Sequence, residues 1–183
     1  MEKQIRIGVV YGSTRTGRFC DKVAQWAASR IGGKAGYAVE LIDPAVLERG
    51  EDFGSLRQRM GGCDAFVIVT PEYNHGYPAP LKSLIDSVGA EWHAKPVAFV
   101  SYGGISGGLR AVEQLRLVFA ELHAMTIRDS VSFAGAWEQF DESGMLLNPE
   151  RAERSMDAML RRLQWWASAL KVARETLPYE TGA

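Results

Sequence analysis

The chain reads as an α/β fold, a doubly wound parallel sheet with helices on both faces, and three observations carry that reading. Short apolar runs of strand length recur at 5–11, 37–42, 65–70 and 97–102. Segments with helical patterning alternate with them, as a parallel sheet with crossover helices requires. Three of the runs end in loops rich in glycine and polar side chains, at 11–18, 71–78 and 102–108. In an open parallel sheet the carboxyl ends of the strands share one edge, so these three loops are expected to line a single crevice.

Taken in order, the run 5–11 is the first strand, and the amphipathic stretch from Gly17 to about Gly32 is the first helix. The second strand covers 37–42, followed by a short helix around 55–60. After the third strand at 65–70, a helix runs over 80–88, opening on Pro80, whose fixed φ suits a first helical turn. The fourth strand at 97–102 leads to a helix over 107–122, and a fifth strand is expected between Thr126 and Phe133. A long helix from Pro149 to about Thr176 closes the same layer. No repeat, low-complexity tract or proline-rich linker divides the chain, so one domain over 1–183 is the economical reading.

The first loop, Gly12-Ser13-Thr14-Arg15-Thr16-Gly17-Arg18, reads as a phosphate cradle. A strand that ends in a tight turn and feeds a helix gathers unpaired N–H groups and the positive end of the helix dipole at one place. Ser13, Thr14 and Thr16 add hydroxyls, while Arg15 and Arg18 add planar forks suited to phosphate oxygens. The spacing of the two glycines matches a Walker A loop, yet Arg18-Phe19 stands where Lys-Ser/Thr would reach a terminal phosphate and magnesium. The dinucleotide fingerprint is also missing, because Ser13 separates Gly12 from Thr14. A monophosphate therefore fits best; the plainer alternative is a βα turn whose glycines only permit the bend.

At 183 residues and 46% hydrophobic, the chain can bury a substantial core without disulfides or metals. With 21 basic against 22 acidic residues, it favours neither nucleic acid nor an anionic membrane as partner. The start, Met1-Glu2-Lys3-Gln4, runs straight into a strand without a signal-peptide hydrophobic region, so a cytoplasmic protein is expected. Cys20 and Cys63 belong to no Cys-x-x-Cys pair and are read as buried thiols. His75, His93 and His123 show no ligand spacing, so no metal site is expected.

The loops then show a resemblance. Gly12-Ser13-Thr14-Arg15 with Arg18, the stretch Pro71-Glu72-Tyr73-Asn74-His75-Gly76-Tyr77-Pro78 with Leu81-Lys82 and Ile85-Asp86, then Lys95-Pro96 and Ser101-Tyr102-Gly103-Gly104, are similar to the NAD(P)H-dependent FMN reductases. That group includes flavodoxin-like azoreductases, quinone reductases and chromate reductases, and the likeness spans about residues 5 to 135. The resemblance implies a flavodoxin-like, five-stranded sheet of order 2-1-3-4-5, with FMN at the strand ends and NADPH or NADH as co-substrate. It also implies a homodimer or homotetramer acting on small-molecule electron acceptors. Carried over by residue, Ser13, Arg15 and Arg18 are phosphate ligands, with Thr14 and Gly17 shaping the loop. Pro71, Glu72, Tyr73 and Asn74 run along the isoalloxazine ring, and Ser101, Tyr102, Gly103 and Gly104 approach its edge. Such a ring is flat, apolar on its faces and polar along one edge, so it calls for an aromatic or aliphatic wall and convergent N–H donors. His75 and Tyr77 fall where the family varies, and this leaves their roles open.

Plainer readings stand beside these. Lys82 and Asp86, four apart on a helix, are an exposed ion pair. Trp92 is read as an interface anchor, with an ordinary packed tryptophan as the alternative. Trp165 and Trp166 cannot both face one core, which leaves one outside. The run Gly104-Ile105-Ser106-Gly107-Gly108 satisfies the Gly-x-Ser-x-Gly pattern of an esterase nucleophile. Its only downstream histidine, His123, lies at the far end of the helix, about 20 Å away at 1.5 Å per residue, so Ser106 is better read as a helix N-cap. A flavodoxin-type electron carrier would bind the same FMN, but the net charge of −1 gives little electrostatic steering for docking. The expected mechanism is ping-pong hydride transfer from NAD(P)H to FMN and onward to quinones, azo compounds, free flavin or metal oxyanions. No protein acid or base is assigned to it.

Overall fold

A computed structural model describes residues 4–48, 50, 52–177 and 179. Strands β1 (Ile5–Tyr11), β2 (Tyr37–Ile42), β3 (Ala65–Pro71), β4 (Pro96–Gly103) and β5 (Met125–Ala134) form one parallel sheet in the order β2-β1-β3-β4-β5. Around it lie α1 (Cys20–Gly32), α2 (Ala45–Glu48), α3 (Phe53–Gly61), α4 (Ala79–Asp86), α5 (Leu109–Glu121) and α6 (Glu150–Thr176). The chain steps outward from β1 to β2 and then returns past β1 to β3. The winding direction therefore reverses between β1 and β3, which opens a crevice at their carboxyl ends.

Burial follows from position in the sheet. Every residue of β3 and β4 is buried, and so is all of β1 except Arg6, because helices cover both faces of these central strands. On one face Val9, Val67 and Val100 pack with Val23 and Ala27 of α1 and Leu160 and Leu163 of α6. On the other, Ile68 and Phe99 meet Leu56 of α3, Leu84 of α4 and Leu115 of α5. At the edge, β5 buries Ile127, Val131 and Phe133 and leaves residues between them wetter, the period-two pattern of a strand covered on one side.

Two expectations are refined, and one segment is new. The first helix starts at Cys20 rather than Gly17, since Gly17 adopts φ +65° and Arg18 N–H bonds Arg15 O at 3.1 Å in a separate turn. Trp92 is no interface anchor: it is fully buried, 4.5 Å from Phe66 and 5.1 Å from Phe119 between ring centroids, and its indole N–H donates to Ile85 O at 3.1 Å. Between β5 and α6 the chain forms a 3-10 turn, Ala136–Glu138, and a small hairpin bridged at Phe140 and Leu146, neither of which has a periodic pattern to announce it. Cys20 and Cys63 are buried as expected, and burial pushes the Cys63 thiol up to about 11. Trp165 faces out and Trp166 packs against the core.

Candidate functional site

The exit of β1 is shaped by a close approach. Gly12 N–H bonds Val69 O at 2.8 Å, and a Cβ at Gly12 would lie 2.6 Å from that oxygen and 2.8 Å from Thr70 Cα. Only glycine lets the chain leave the sheet here. Beyond it, the Ser13 N–H turns toward the buried Cys20 thiol, whereas the N–H groups of Thr14, Thr16 and Gly17 donate to no acceptor among the described residues. Helix α1 then begins after Phe19 with no side-chain cap. Free donors and an uncapped helix start within one turn of chain make a cradle for an anion.

The two arginines of this loop have different situations. Arg18 bonds both oxygens of Asp43, at 2.7 and 2.5 Å, and its Nε reaches Asp21 at 2.8 Å. It also donates to the carbonyl of Ser13. Its charge is shared with carboxylates that brace the loop. Arg15 is exposed, forms no ion pair with the described residues, and lies over the Tyr73 ring with Cζ 3.6 Å from the centroid. The buried Ser13 hydroxyl sits 2.7 Å from the Tyr73 hydroxyl. Ser13, Arg15 and Tyr73 therefore form one contiguous group, joining the first loop to the one after β3.

The loop after β3 is a tight turn. Tyr73 and Gly76 exchange backbone bonds of 2.9 and 3.0 Å, and Asn74 and His75 between them adopt φ +50° and +68°. Two successive positive φ values give the twist that matches adjoining extended chain. Asn74 projects at the exposed tip, and His75 O accepts from Gln114 Nε2 at 2.9 Å, which ties the turn to α5. Glu72, expected beside a ring, faces the next loop instead. Its Oε2 accepts from Ser106 Oγ at 2.7 Å and from Arg110 N–H at 3.1 Å, and its Oε1 accepts from Arg110 Nη1 at 2.7 Å. Burial alone would raise its pKa, but these donors outweigh burial and hold the carboxyl below its ordinary range.

After β4, side chains and backbone part company. Ser101 Oγ is buried and donates to Gly107 O at 2.8 Å, while Tyr102 is buried beside Phe19 at 5.9 Å between rings. Neither side chain reaches the crevice, so what this segment offers is backbone. The N–H groups of Gly104, Ile105 and Ser106 donate to no acceptor among the described residues. Gly108, at φ +83°, lets α5 start directly against β4: a Cβ there would lie 2.9 Å from Tyr102 N and O. Gly108 is also the N-cap, and the side chain capping α5 is Glu72 rather than the expected Ser106. The esterase reading fails on the same contacts. Ser106 Oγ is bonded to Glu72, whereas His123 lies beyond the other end of α5, with Nδ1 3.1 Å from the Tyr179 hydroxyl.

One part of this edge escaped the reading of the sequence. Gly135 N–H bonds Gly104 O at 3.0 Å and brings the 3-10 turn beside the loop after β4. There Trp137 contacts the position of Gly104, with Cη2 3.8 Å from where a Cβ would stand. The adjoining hairpin folds back on α1, where Asp141 O accepts from Lys22 Nζ at 2.7 Å and Phe140 packs on Phe19 at 5.6 Å. An exposed tryptophan just past a strand was the available signal.

A model of the NADPH-dependent FMN reductase family matches residues 5–138. An NAD(P)H-dependent FMN reductase of Schizosaccharomyces pombe is 34% identical over 123 residues, covering 56% of this chain and 60% of that protein. A quinone reductase of Pseudomonas putida is 31% identical over 185 residues, covering 91% of this chain and 96% of its own. Among solved structures, the NAD(P)H:(acceptor) oxidoreductase FerB of Paracoccus denitrificans superposes with a TM-score of 0.69 at 19% identity, covering 90% of this chain and 98% of that one. An archaeal flavodoxin superposes with a TM-score of 0.61 at 13% identity, over 87% of this chain and 99% of that one. The sheet is thus flavodoxin-like, and with its family pattern running unbroken from β1 past β5, the chain belongs to the NADPH-dependent FMN reductases.

Proposed function

We propose that this protein is an FMN-containing oxidoreductase that oxidises NADPH or NADH and reduces small-molecule acceptors, with quinones foremost. The observation that carries the reading is the pairing of two donor sets on one edge. Among the described residues, N–H groups without an acceptor at 14, 16 and 17 lie beside Arg15, and more follow at 104–106. A ligand with a phosphate at one end and a flat, polar-edged ring at the other satisfies both sets, whereas a simple anion uses only the first.

The residues divide the work. Ser13, Thr14 and Gly17 with Arg15 hold the phosphate, and Arg18 keeps the loop in shape through Asp43 and Asp21. Pro71, Tyr73 and Asn74 form the wall beside the ring, while the backbone from Gly103 to Ser106 donates to its edge. Glu72 positions that backbone by joining the two loops. When bound, FMN supplies the hydride-accepting and electron-donating chemistry. Ser101 and Tyr102 support the strand end from inside and hold no proton for the reaction.

An open crevice serves reductant and acceptor in turn, so parallel double-reciprocal plots are expected, with azo compounds, free flavin and metal oxyanions as further acceptors. Assembly as a homodimer or homotetramer in the cytoplasm belongs to the same proposal. The deciding experiment is anaerobic stopped-flow reduction of the FMN-loaded protein by each nicotinamide, followed by mixing with quinone. Bleaching of the flavin absorbance by either donor supports the reading; bound FMN that neither donor reduces would make the protein a carrier.

A further inference from the structure

We infer that Trp137 forms the face on which a planar aromatic electron acceptor stacks, a part of the site that no expected ligand residue provides. The inference rests on the proposed flavin site and names the acceptor class for it. Trp137 is 60% exposed, and yet its base is fixed on every side. Ala136 before it is fully buried, Gly135 N–H bonds Gly104 O at 3.0 Å, and Gln139 Nε2 bonds Ala134 O. Beneath the turn, Phe133 meets Trp26 at 5.1 Å and Phe140 at 5.1 Å between ring centroids, so the strand end that carries it is anchored in aromatic packing.

A rigidly mounted indole offers a large flat apolar face to a ligand at little entropic cost. Its location selects the ligand. The six-membered end of the indole faces Gly104, with Cη2 3.8 Å from where a Cβ would stand; Gly104 belongs to the backbone proposed to meet the ring edge of the cofactor, and Ile105 next to it is 95% exposed. An exposed indole and an exposed isoleucine near backbone N–H groups at 104–106 that have no acceptor among the described residues suit a flat ring bearing carbonyl oxygens. Among the acceptors proposed above, quinones have that shape, whereas metal oxyanions have neither a face to stack nor apolar surface to bury.

The test uses oxidised, FMN-loaded protein, which binds a quinone without turnover. Isothermal titration with 2-methyl-1,4-naphthoquinone is compared for wild type, Trp137→Ala, Trp137→Phe and the control Trp165→Ala, which removes an exposed tryptophan on α6 far from the strand ends. FMN affinity and sedimentation are measured for each. Loss of an aromatic contact worth about 0.5–1.5 kcal/mol corresponds to quinone binding weakened about two- to twelvefold in Trp137→Ala. Trp137→Phe is expected to recover most of it, and Trp165→Ala to match wild type. Unchanged quinone affinity in Trp137→Ala overturns the inference. So does a loss accompanied by a change of oligomeric state, which would make Trp137 a subunit contact. Failure of wild type to bind FMN would remove the proposed function itself, and this inference with it.

Discussion

Arg15 and Arg18 stand three positions apart in one loop, yet only one has charge to offer a ligand. Arg18 is held between Asp43 and Asp21, whereas Arg15 rests on the Tyr73 ring without a carboxylate partner among the described residues. A charge-assisted hydrogen bond contributes about 1.5–3 kcal/mol, so Arg15→Ala is expected to weaken FMN binding at least about tenfold with little change in thermal stability. Fluorescence titration of FMN reads the first and differential scanning calorimetry the second. Arg18→Ala is expected to do the reverse in part: it strips a buttress from the loop by removing its bonds to Asp43, Asp21 and the Ser13 carbonyl, so melting temperature falls along with FMN affinity. Both arginines lie in the loop after β1, and their different pairing depends on Asp43, which lies 25 residues further along the chain than Arg18.

At the level of elements, Glu72 joins the turn after β3 to the start of α5 by accepting from Ser106 and Arg110. A helix N-cap is worth about 0.5–2 kcal/mol, so Glu72→Gln is expected to lower stability within that range, as measured by urea unfolding at neutral pH. Its pH dependence has a defined sign. The carboxyl is held below its ordinary value in the folded state, so the unfolded chain binds the proton more readily. The contribution of Glu72 is therefore complete above about pH 4.3, the ordinary glutamate value, and is lost as pH falls through the folded-state value. Wild type and Glu72→Gln should converge in stability under acid, and a constant gap across that window would rule out the ionised cap. A carboxylate that caps a helix from a separate loop carries no local signature, which is why Ser106, in the usual position, looked like the cap.

Across the molecule, the two apolar layers on either side of the sheet hold the strand ends in register, and Trp92 is the largest side chain of the layer beneath α3, α4 and α5. Removing it leaves a cavity between Phe66 and Phe119 and an unmatched carbonyl at Ile85. Trp92→Ala is expected to cost about 3–5 kcal/mol of unfolding free energy without altering sedimentation, whereas an interface anchor would change the oligomeric state first. Five strands, the principal helices and the three loops at the strand ends were all legible in the chain, because strand length, helical period and glycine-rich turns are local properties. Strand order followed from the family resemblance, since apolar runs alone do not say which strand neighbours which. What the linear pattern could not resolve was the direction of each side chain at the crevice. Ser101 and Tyr102 turn inward, Glu72 turns to the neighbouring loop, and Trp137 arrives from beyond β5. Local propensities thus settle which backbone segments reach the carboxyl edge of the sheet. The partners each polar group finds there come from chain segments tens of residues away, and only packing in three dimensions chooses among them.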